Sequence, residues 1–161
     1  MESLKDKVVI VTGSTAGIGE ATALLFSKYG CKVVITGRNV EKAKDVSRRC
    51  EEISPNKYKN LVILGDISDD SHRTELIEKT LEHFGQIDIL VNNAGFSIPV
   101  NVLSDGFISA YDRVMDVNLR SPVLLTRLAL PFLISSKGCV INVSSVATNR
   151  TVNESFVMNF T

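Results

Sequence analysis

Short, largely apolar runs rich in β-branched side chains alternate along the chain with longer stretches at helical spacing. Val8–Val11, Lys32–Thr36, Leu61–Leu64, Ile87–Val91 and Cys139–Val143 predict five strands. Val8–Val11 is a continuous apolar run, as expected of a strand buried on both faces. Between them, Glu20–Tyr29 carries Ala21, Leu24, Leu25 and Lys28 at helical spacing, with Gly30 as its stop. A charged helix is predicted from about Val40 to Ile53, broken by Ser54-Pro55-Asn56. Another runs from Ser71, a capping residue, to Phe84, and Gly85 closes it. A long amphipathic pattern extends from Phe107 to about Leu133, and Pro122 inside it predicts a kink or a boundary. Residues 146–161 show no clear period.

Strands alternating with helices imply parallel pairing through crossovers, with helices on both sheet faces. Right-handed crossovers make this an α/β, Rossmann-type doubly wound parallel sheet of five strands. Such sheets bind ligands beyond the carboxyl ends of their strands, so the chemistry is expected at 12–19, 36–39, 65–67, 92–95 and 142–146. The length of 161 residues suits one domain.

Composition narrows the partners. Eighteen basic and 18 acidic side chains cancel, which removes the usual argument for binding nucleic acid or an anionic membrane. Arg48-Arg49 and Lys42/Lys44 lie among acidic residues and read as a solvated helix face. Cys31, Cys50 and Cys139 are far apart and form no zinc pattern, so they read as free, buried or half-buried thiols in a reducing compartment. His72 and His83 sit among charged helix residues and read as surface side chains. No metal site is expected. The charged first residues lack the apolar core of a signal peptide, and no apolar run approaches the length of a membrane span. A cytoplasmic protein with no membrane span is the expectation, and the Asn-x-Ser/Thr triplets at Asn142, Asn149, Asn153 and Asn159 then read as chance matches.

The strongest chemical signal is Thr12-Gly13-Ser14-Thr15-Ala16-Gly17-Ile18-Gly19, between the first strand and the first helix. Glycines permit a tight turn, a close approach to a ligand and close packing of helix on sheet. The helix start then offers free N–H groups and a positive dipole end to a diphosphate.

With this loop, Asp66 after the third strand, Asn92-Asn93-Ala94-Gly95 after the fourth, Asn118 in Asp116-Val117-Asn118-Leu119, and Ile141-Asn142-Val143-Ser144-Ser145, the chain resembles the short-chain dehydrogenase/reductase family over residues 5 to 150. The resemblance implies a dinucleotide-binding domain at 1–150 and a divergent tail at 151–161. Gly13, Ser14, Thr15, Gly17, Ile18 and Gly19 would hold the coenzyme, with Asp66 and Ile67 beside its adenine and Asn92, Ala94 and Gly95 lining the cleft. Turn formation by Asp66 and strand capping by Asn92-Asn93 are compatible roles. At the end of the second strand, Gly37 leaves space, and Arg38 with Asn39 would meet a 2′-phosphate, so NADP(H) is predicted over NAD(H). The alternative for Arg38 is a plain surface charge. The implied activity is hydride transfer between a small-molecule carbonyl and an alcohol, in a homo-oligomer formed through the 107–133 helix.

In the family, a tyrosine acts as acid/base, a lysine lowers its pKa, a serine holds the reacting oxygen and an asparagine anchors a water relay. Asn118 and Ser145 match the last two, and a capping or turn role is the alternative for the serine pair. The tyrosine, expected thirteen residues after the serine, falls on Met158, and the lysine would fall at position 162. Tyr29, Tyr58 and Tyr111 do not substitute by position. The chain thus reads as a truncated member, leaving the family's sequence shortly after Arg150 and lacking its later strands and helices. Negligible turnover is expected, with a bare edge at 139–143 and a marginal, association-prone fold. The other readings are a catalytically silent dinucleotide-binding or regulatory module and a non-functional splice product.

Overall fold

Side chains along β1 (Val8–Val11) point alternately to the two faces of a sheet, and all four are fully buried. Val8 and Ile10 enter one apolar layer, Val9 and Val11 the other. β1 is therefore the centre of the domain. β2 (Lys32–Gly37) and β3 (Leu61–Leu64) extend the sheet on one side, β4 (Ile89–Asn92) and β5 (Cys139–Asn142) on the other. The order is β3-β2-β1-β4-β5 and every pair is parallel. The computed structural model describes residues 4–145. The divergent tail expected at 151–161, including Met158, lies outside the described residues, as do Asn149, Asn153 and Asn159.

Helices α1 (Gly17–Lys28) and α2 (Val40–Ile53) cover one face through Ala23, Ala43, Val46 and Cys50. α3 (Asp70–Phe84) and α5 (Ser121–Ser136) cover the other through Leu76, Ile77, Leu125, Ala129 and Leu133. The chain builds outward from β1 to β3, then crosses back to lay β4 on the other side of β1. That reversal opens a crevice between the carboxyl ends of β1 and β4, the place where doubly wound sheets take ligands. This is the Rossmann-type architecture the alternation predicts.

Some details depart from the sequence pattern. α1 begins at Gly17, three residues before the predicted start, and its inner face is Gly19, Ala23 and Ser27. Small residues let the helix approach the sheet, and Leu25 is left 53% exposed. α3 is capped by Asp69, whose carboxylate accepts from the Ser71 N–H at 2.9 Å, so Ser71 lies inside the helix. Cys31 and Cys50 are buried as expected, and burial, then the Asp88 charge, push the Cys31 thiol up to about 11. Cys139 is exposed instead, because β5 is the edge strand among the described residues and Ile141 and Asn142 are uncovered with it.

Phe107–Ser136 is one helical stretch of 30 residues: α4 (Phe107–Met115), a wide π-turn over Asp116–Arg120, and α5. Pro122 falls in the first turn of α5. The Asp116 carbonyl accepts from both the N–H and the Oγ of Ser121, the latter at 2.8 Å, so the boundary at Pro122 is a widened turn rather than a break. This stretch is long and apolar enough to cross a membrane by length and composition alone, a test that a buried core helix also passes. Val114, Leu125, Ala129 and Leu133 are nevertheless buried in the domain core.

At the amino end of the sheet, Asp88 is 2% exposed. Its Oδ2 accepts from the Val8 N–H and from Gln86 Nε2, both at 2.8 Å, and its Oδ1 accepts from Lys7 Nζ at 2.7 Å. Asp88→Ala strands the Val8 donor and should lower stability by about 2–3 kcal/mol. Urea denaturation checks this; a loss under about 0.5 kcal/mol would show that the carboxylate does not tie β1 to β4.

Candidate functional site

The loop after β1 takes its shape from close contacts. Gly13 and Gly17 have φ of +63° and +57°, the left-handed region that favours glycine. A Cβ at Gly19 would lie 2.4 Å from both the Gly13 carbonyl oxygen and Asn93 Nδ2, so only glycine lets α1 start so near the loop. The helix has no side-chain cap, and its first backbone bond is Glu20 N–H to the Ala16 carbonyl. The N–H groups of Gly17, Ile18 and Gly19 precede that bond and have no intrahelical acceptor. Together with the dipole they form a donor set that fits a phosphate.

Neighbouring loops hold this turn in place. Thr12 Oγ1 accepts from the N–H of Asn93 and of Ala94, each at 2.9 Å, and donates to the Val91 carbonyl at 3.3 Å. Asn93 Nδ2 donates to the Thr12 carbonyl at 2.8 Å. On the other side, Ser14 Oγ accepts from the Thr36 N–H at 3.0 Å, and the Ser14 N–H donates to the Thr36 carbonyl at 3.1 Å. The glycine loop is thus bonded to the ends of β2 and β4 at once.

A cleft of about 470 Å³ opens over it. Gly13, Thr15, Ile18, Arg38, Asp66, Ile67, Ala94 and Gly95, all sequence candidates, line this cleft, with Thr36, Gly37, Gly65, Asn93 and Phe96. The other candidates take different places. Ser14 is buried beneath the loop on Thr36, and Gly19 is buried against Gly13 and Asn93. Gly17 heads the helix with open space where a Cβ would be. Asn39 caps α2, its Oδ1 accepting from the Lys42 N–H at 2.9 Å. Asn92 turns the other way, toward β5 and α5, where Nδ2 donates to Asn142 Oδ1 at 2.9 Å and Thr126 Oγ1 at 3.2 Å. Its neighbour Asn93, read in the sequence as a strand cap and not as a coenzyme residue, helps hold the glycine loop by donating from Nδ2 to the Thr12 carbonyl.

At one end of the cleft Arg38 is 71% exposed and lies 3.5 Å from the Asp66 carboxylate. Asp66 forms a turn as well: its Oδ1 accepts from the Ser68 N–H at 3.0 Å and the Ser68 hydroxyl at 2.8 Å. The Ser68 N–H, then its hydroxyl and the Arg38 guanidinium, hold the carboxyl below the usual range against the opposing effect of burial. His83 is exposed as expected, but His72 is not: it is 4% exposed, with Nε2 3.0 Å from Thr36 Oγ1. The ring fills the space beside Gly65, which has no side chain to exclude it. Of the basic pairs, Arg48 bridges Asp45 and Glu52 on the α2 surface, while half-buried Arg49 reaches across to Glu20 on α1.

Beyond the glycine loop a second cavity, about 750 Å³, contains Asn92, Asn118, Val123, Thr126, Asn142, Ser144 and Ser145 in its wall. Asn118 lies in the π-turn and grips the loop after β4: its Nδ2 donates to the Phe96 carbonyl at 2.9 Å and its Oδ1 accepts from the Phe96 N–H at 3.0 Å. Among the described residues no tyrosine lines either cavity, and no group of three or more His, Cys, Asp or Glu is placed to hold a metal.

Burial, then the Arg73 charge, lowers the His72 pKa, while Glu75, Asp69 and Asp66 oppose the shift. A histidine whose folded value lies below the unfolded value of about 6.5 binds fewer protons when folded. Its contribution to stability is complete above that pH, is lost as pH falls through it, and levels off below the folded value. The stability gap between wild type and His72→Gln should therefore narrow from pH 7.5 to pH 5.5 in urea titrations; a gap independent of pH would contradict a buried neutral ring.

Comparison with known proteins agrees with this geometry. The family model described as short chain dehydrogenase matches residues 7–157. An uncharacterised oxidoreductase of Staphylococcus saprophyticus is 37% identical over 151 residues, covering 91% of this chain and 62% of the relative. Human dehydrogenase/reductase SDR family member 7 is also 37% identical, covering 89% of this chain and 42% of that protein. Among solved structures, glucose dehydrogenase of Caenorhabditis elegans in its apo form superposes with a TM-score of 0.79 at 40% identity, covering 89% of this chain and 56% of that one. A short-chain dehydrogenase/reductase of unknown function from the same organism, solved with cofactor, gives a TM-score of 0.85 at 33% identity, covering 95% and 58%. The chain thus spans about three fifths or less of the length of these relatives. With its glycine loop, its parallel sheet and this match over nearly all its residues, the chain belongs to the short-chain dehydrogenase family.

Proposed function

We propose that the 470 Å³ cleft binds a nicotinamide dinucleotide, NADP(H) in preference to NAD(H), and that the site is of the oxidoreductase type that transfers hydride between a small-molecule carbonyl and an alcohol, without turnover by these 161 residues alone. The observation that carries the reading is the uncapped first turn of α1 beside the cleft, a set of backbone donors without acceptors among the described residues. The family binds nicotinamide dinucleotides, which when bound supply or accept the hydride. Arg38 supports the choice of NADP(H): it stands at the mouth of the cleft, and Asp66 is its one short-range anionic partner among the described residues. A 2′-phosphate gives its guanidinium a bidentate, doubly charged partner in place of a carboxylate at 3.5 Å.

The chain's own residues then divide the work. Gly17, Ile18 and Gly19 hold the diphosphate by backbone N–H groups, and Asn93 keeps their loop seated. Ser145 and Asn118, both in the wall of the 750 Å³ cavity, support the carbonyl or alcohol assignment: a hydroxyl to hold the reacting oxygen, and an amide that fixes the loop beside it. Leu119, Pro122, Val123 and Val140 add an apolar wall suited to a substrate of mixed polarity.

A second reading is favoured by one residue. Met158 stands where the family places its acid/base tyrosine, and a thioether neither gives nor takes a proton at neutral pH. These 161 residues should therefore bind coenzyme without turning it over, as a catalytically silent module, since removing an acid/base costs about 10²–10⁴ in rate. Exposed Val123, Leu130, Phe132 and Ile134 along α5 support self-association as its context.

Two measurements check these statements. Fluorescence titration should give a saturable NADPH isotherm, and Arg38→Ala should weaken NADPH by roughly 10- to 100-fold while leaving NADH nearly unchanged. An unchanged NADPH/NADH ratio would remove Arg38 from coenzyme selection. In the same preparation, NADPH oxidation with a panel of ketones and aldehydes should stay at the protein-free rate; carbonyl-dependent oxidation would overturn the silent reading.

A further inference from the structure

His72 lies in the first turn of α3, under two wall residues of the cleft. Its Nε2 is 3.0 Å from Thr36 Oγ1, and a Cβ on Gly65 would fall 2.2 Å from its Nδ1, so the ring is wedged beneath the cleft where β2 and β3 end. Nδ1 is buried with no hydrogen-bond partner among the described residues, since Glu75 Oε2 is 3.9 Å away, beyond bonding range. A neutral imidazole carries one ring proton. Placed on Nδ1, that proton would be a buried donor with no acceptor. Placed on Nε2, it meets the Thr36 hydroxyl oxygen. The second arrangement leaves only a lone pair unmatched and is the cheaper of the two.

The consequence falls on Thr36. Its backbone is fixed by both bonds to Ser14, so the freedom left to this residue is the direction of its hydroxyl hydrogen. Once Oγ1 accepts from His72, that hydrogen must point elsewhere, and Thr36, only 2% exposed, has the cleft as its one open neighbour among the cavities of the described residues. We propose that His72 is a positioning residue for the coenzyme: by donating from Nε2 to Thr36 Oγ1 it turns the Thr36 hydroxyl toward an oxygen of the adenosine half. The proposal rests on the dinucleotide reading of the cleft given above.

The test is the affinity of folded protein, verified by circular dichroism, for NADPH and for adenosine 2′-phosphate, which carries only the adenosine half. His72→Leu and Thr36→Val should each weaken both ligands by about five- to tenfold. The double variant should bind no more weakly than Thr36→Val alone, because His72 acts only through the Thr36 hydroxyl. His72→Gln, with an amide that can donate to Thr36, should recover most of the affinity. A purely structural histidine would lower the melting temperature and leave these affinities alone. Binding of both ligands within twofold of wild type by folded His72→Leu, or by Thr36→Val should His72→Leu not fold, would overturn the proposal, as would losses that multiply in the double variant. Absence of nucleotide binding by the wild type would instead remove the reading of the cleft on which the proposal stands.

Discussion

The first turn of α1 begins with backbone N–H groups that have no acceptor among the described residues, and the surrounding structure keeps them that way. A helix start normally borrows an oxygen from a Ser, Thr, Asp or Asn cap. Here Ala16 stands at that position, while Asn39 and Asp69 cap α2 and α3 in the usual manner. α4, behind Gly106, has no side-chain cap either, but the start of α1 lines the cleft through Ala16 and Ile18, and no α4 residue does. Thr12 and Ser14, which could have capped locally, are spent on β4 and β2 instead.

That arrangement depends on close approach. Gly19 touches the Gly13 carbonyl and the Asn93 amide, and Ala23 and Ser27 continue a narrow inner face along α1. A larger side chain on this face would lift the helix and separate its donors from the crevice between β1 and β4. The two cavities meet at Ile18, Asn93, Ala94, Gly95 and Phe96, so one loop floor serves the cleft over the glycine loop and the space beside Asn118 and Ser145. Asn118, fixed by both of its polar atoms to Phe96, joins the π-turn of the long helix to that floor.

The four-residue apolar run of β1, buried on both faces, announces itself, and the glycine loop announces the turn between strand and helix. Contacts that depend on two distant elements are less visible. His72 is flanked in sequence by Ser71 and Arg73 and near three acidic residues, so local polarity argues for the surface. It is buried because Gly65, seven residues earlier, leaves a hole of ring size. Arg73 is 1% exposed for a similar reason, reaching the Ile67 carbonyl and Ser121 Oγ across the base of α5. Asn92 and Asn93 are indistinguishable by type, and only the alternation of the strand sends one to β5 and the other to the glycine loop. The inner face of α1 escapes a search for leucines because close packing there selects small residues. Pro122 is read correctly as a discontinuity, but its form, a π-turn closed by Ser121, follows from packing rather than pattern.

The central statement is that backbone donors at the head of α1 take a diphosphate. Amide chemical shifts of isotope-labelled protein, followed while NADP⁺ is added, address it directly. Saturable shifts centred on Thr15 to Gly19, with the Arg38 side-chain signals moving in step, are the predicted result. Unchanged amides at these positions in a folded sample, or shifts confined to another part of the surface, would contradict it.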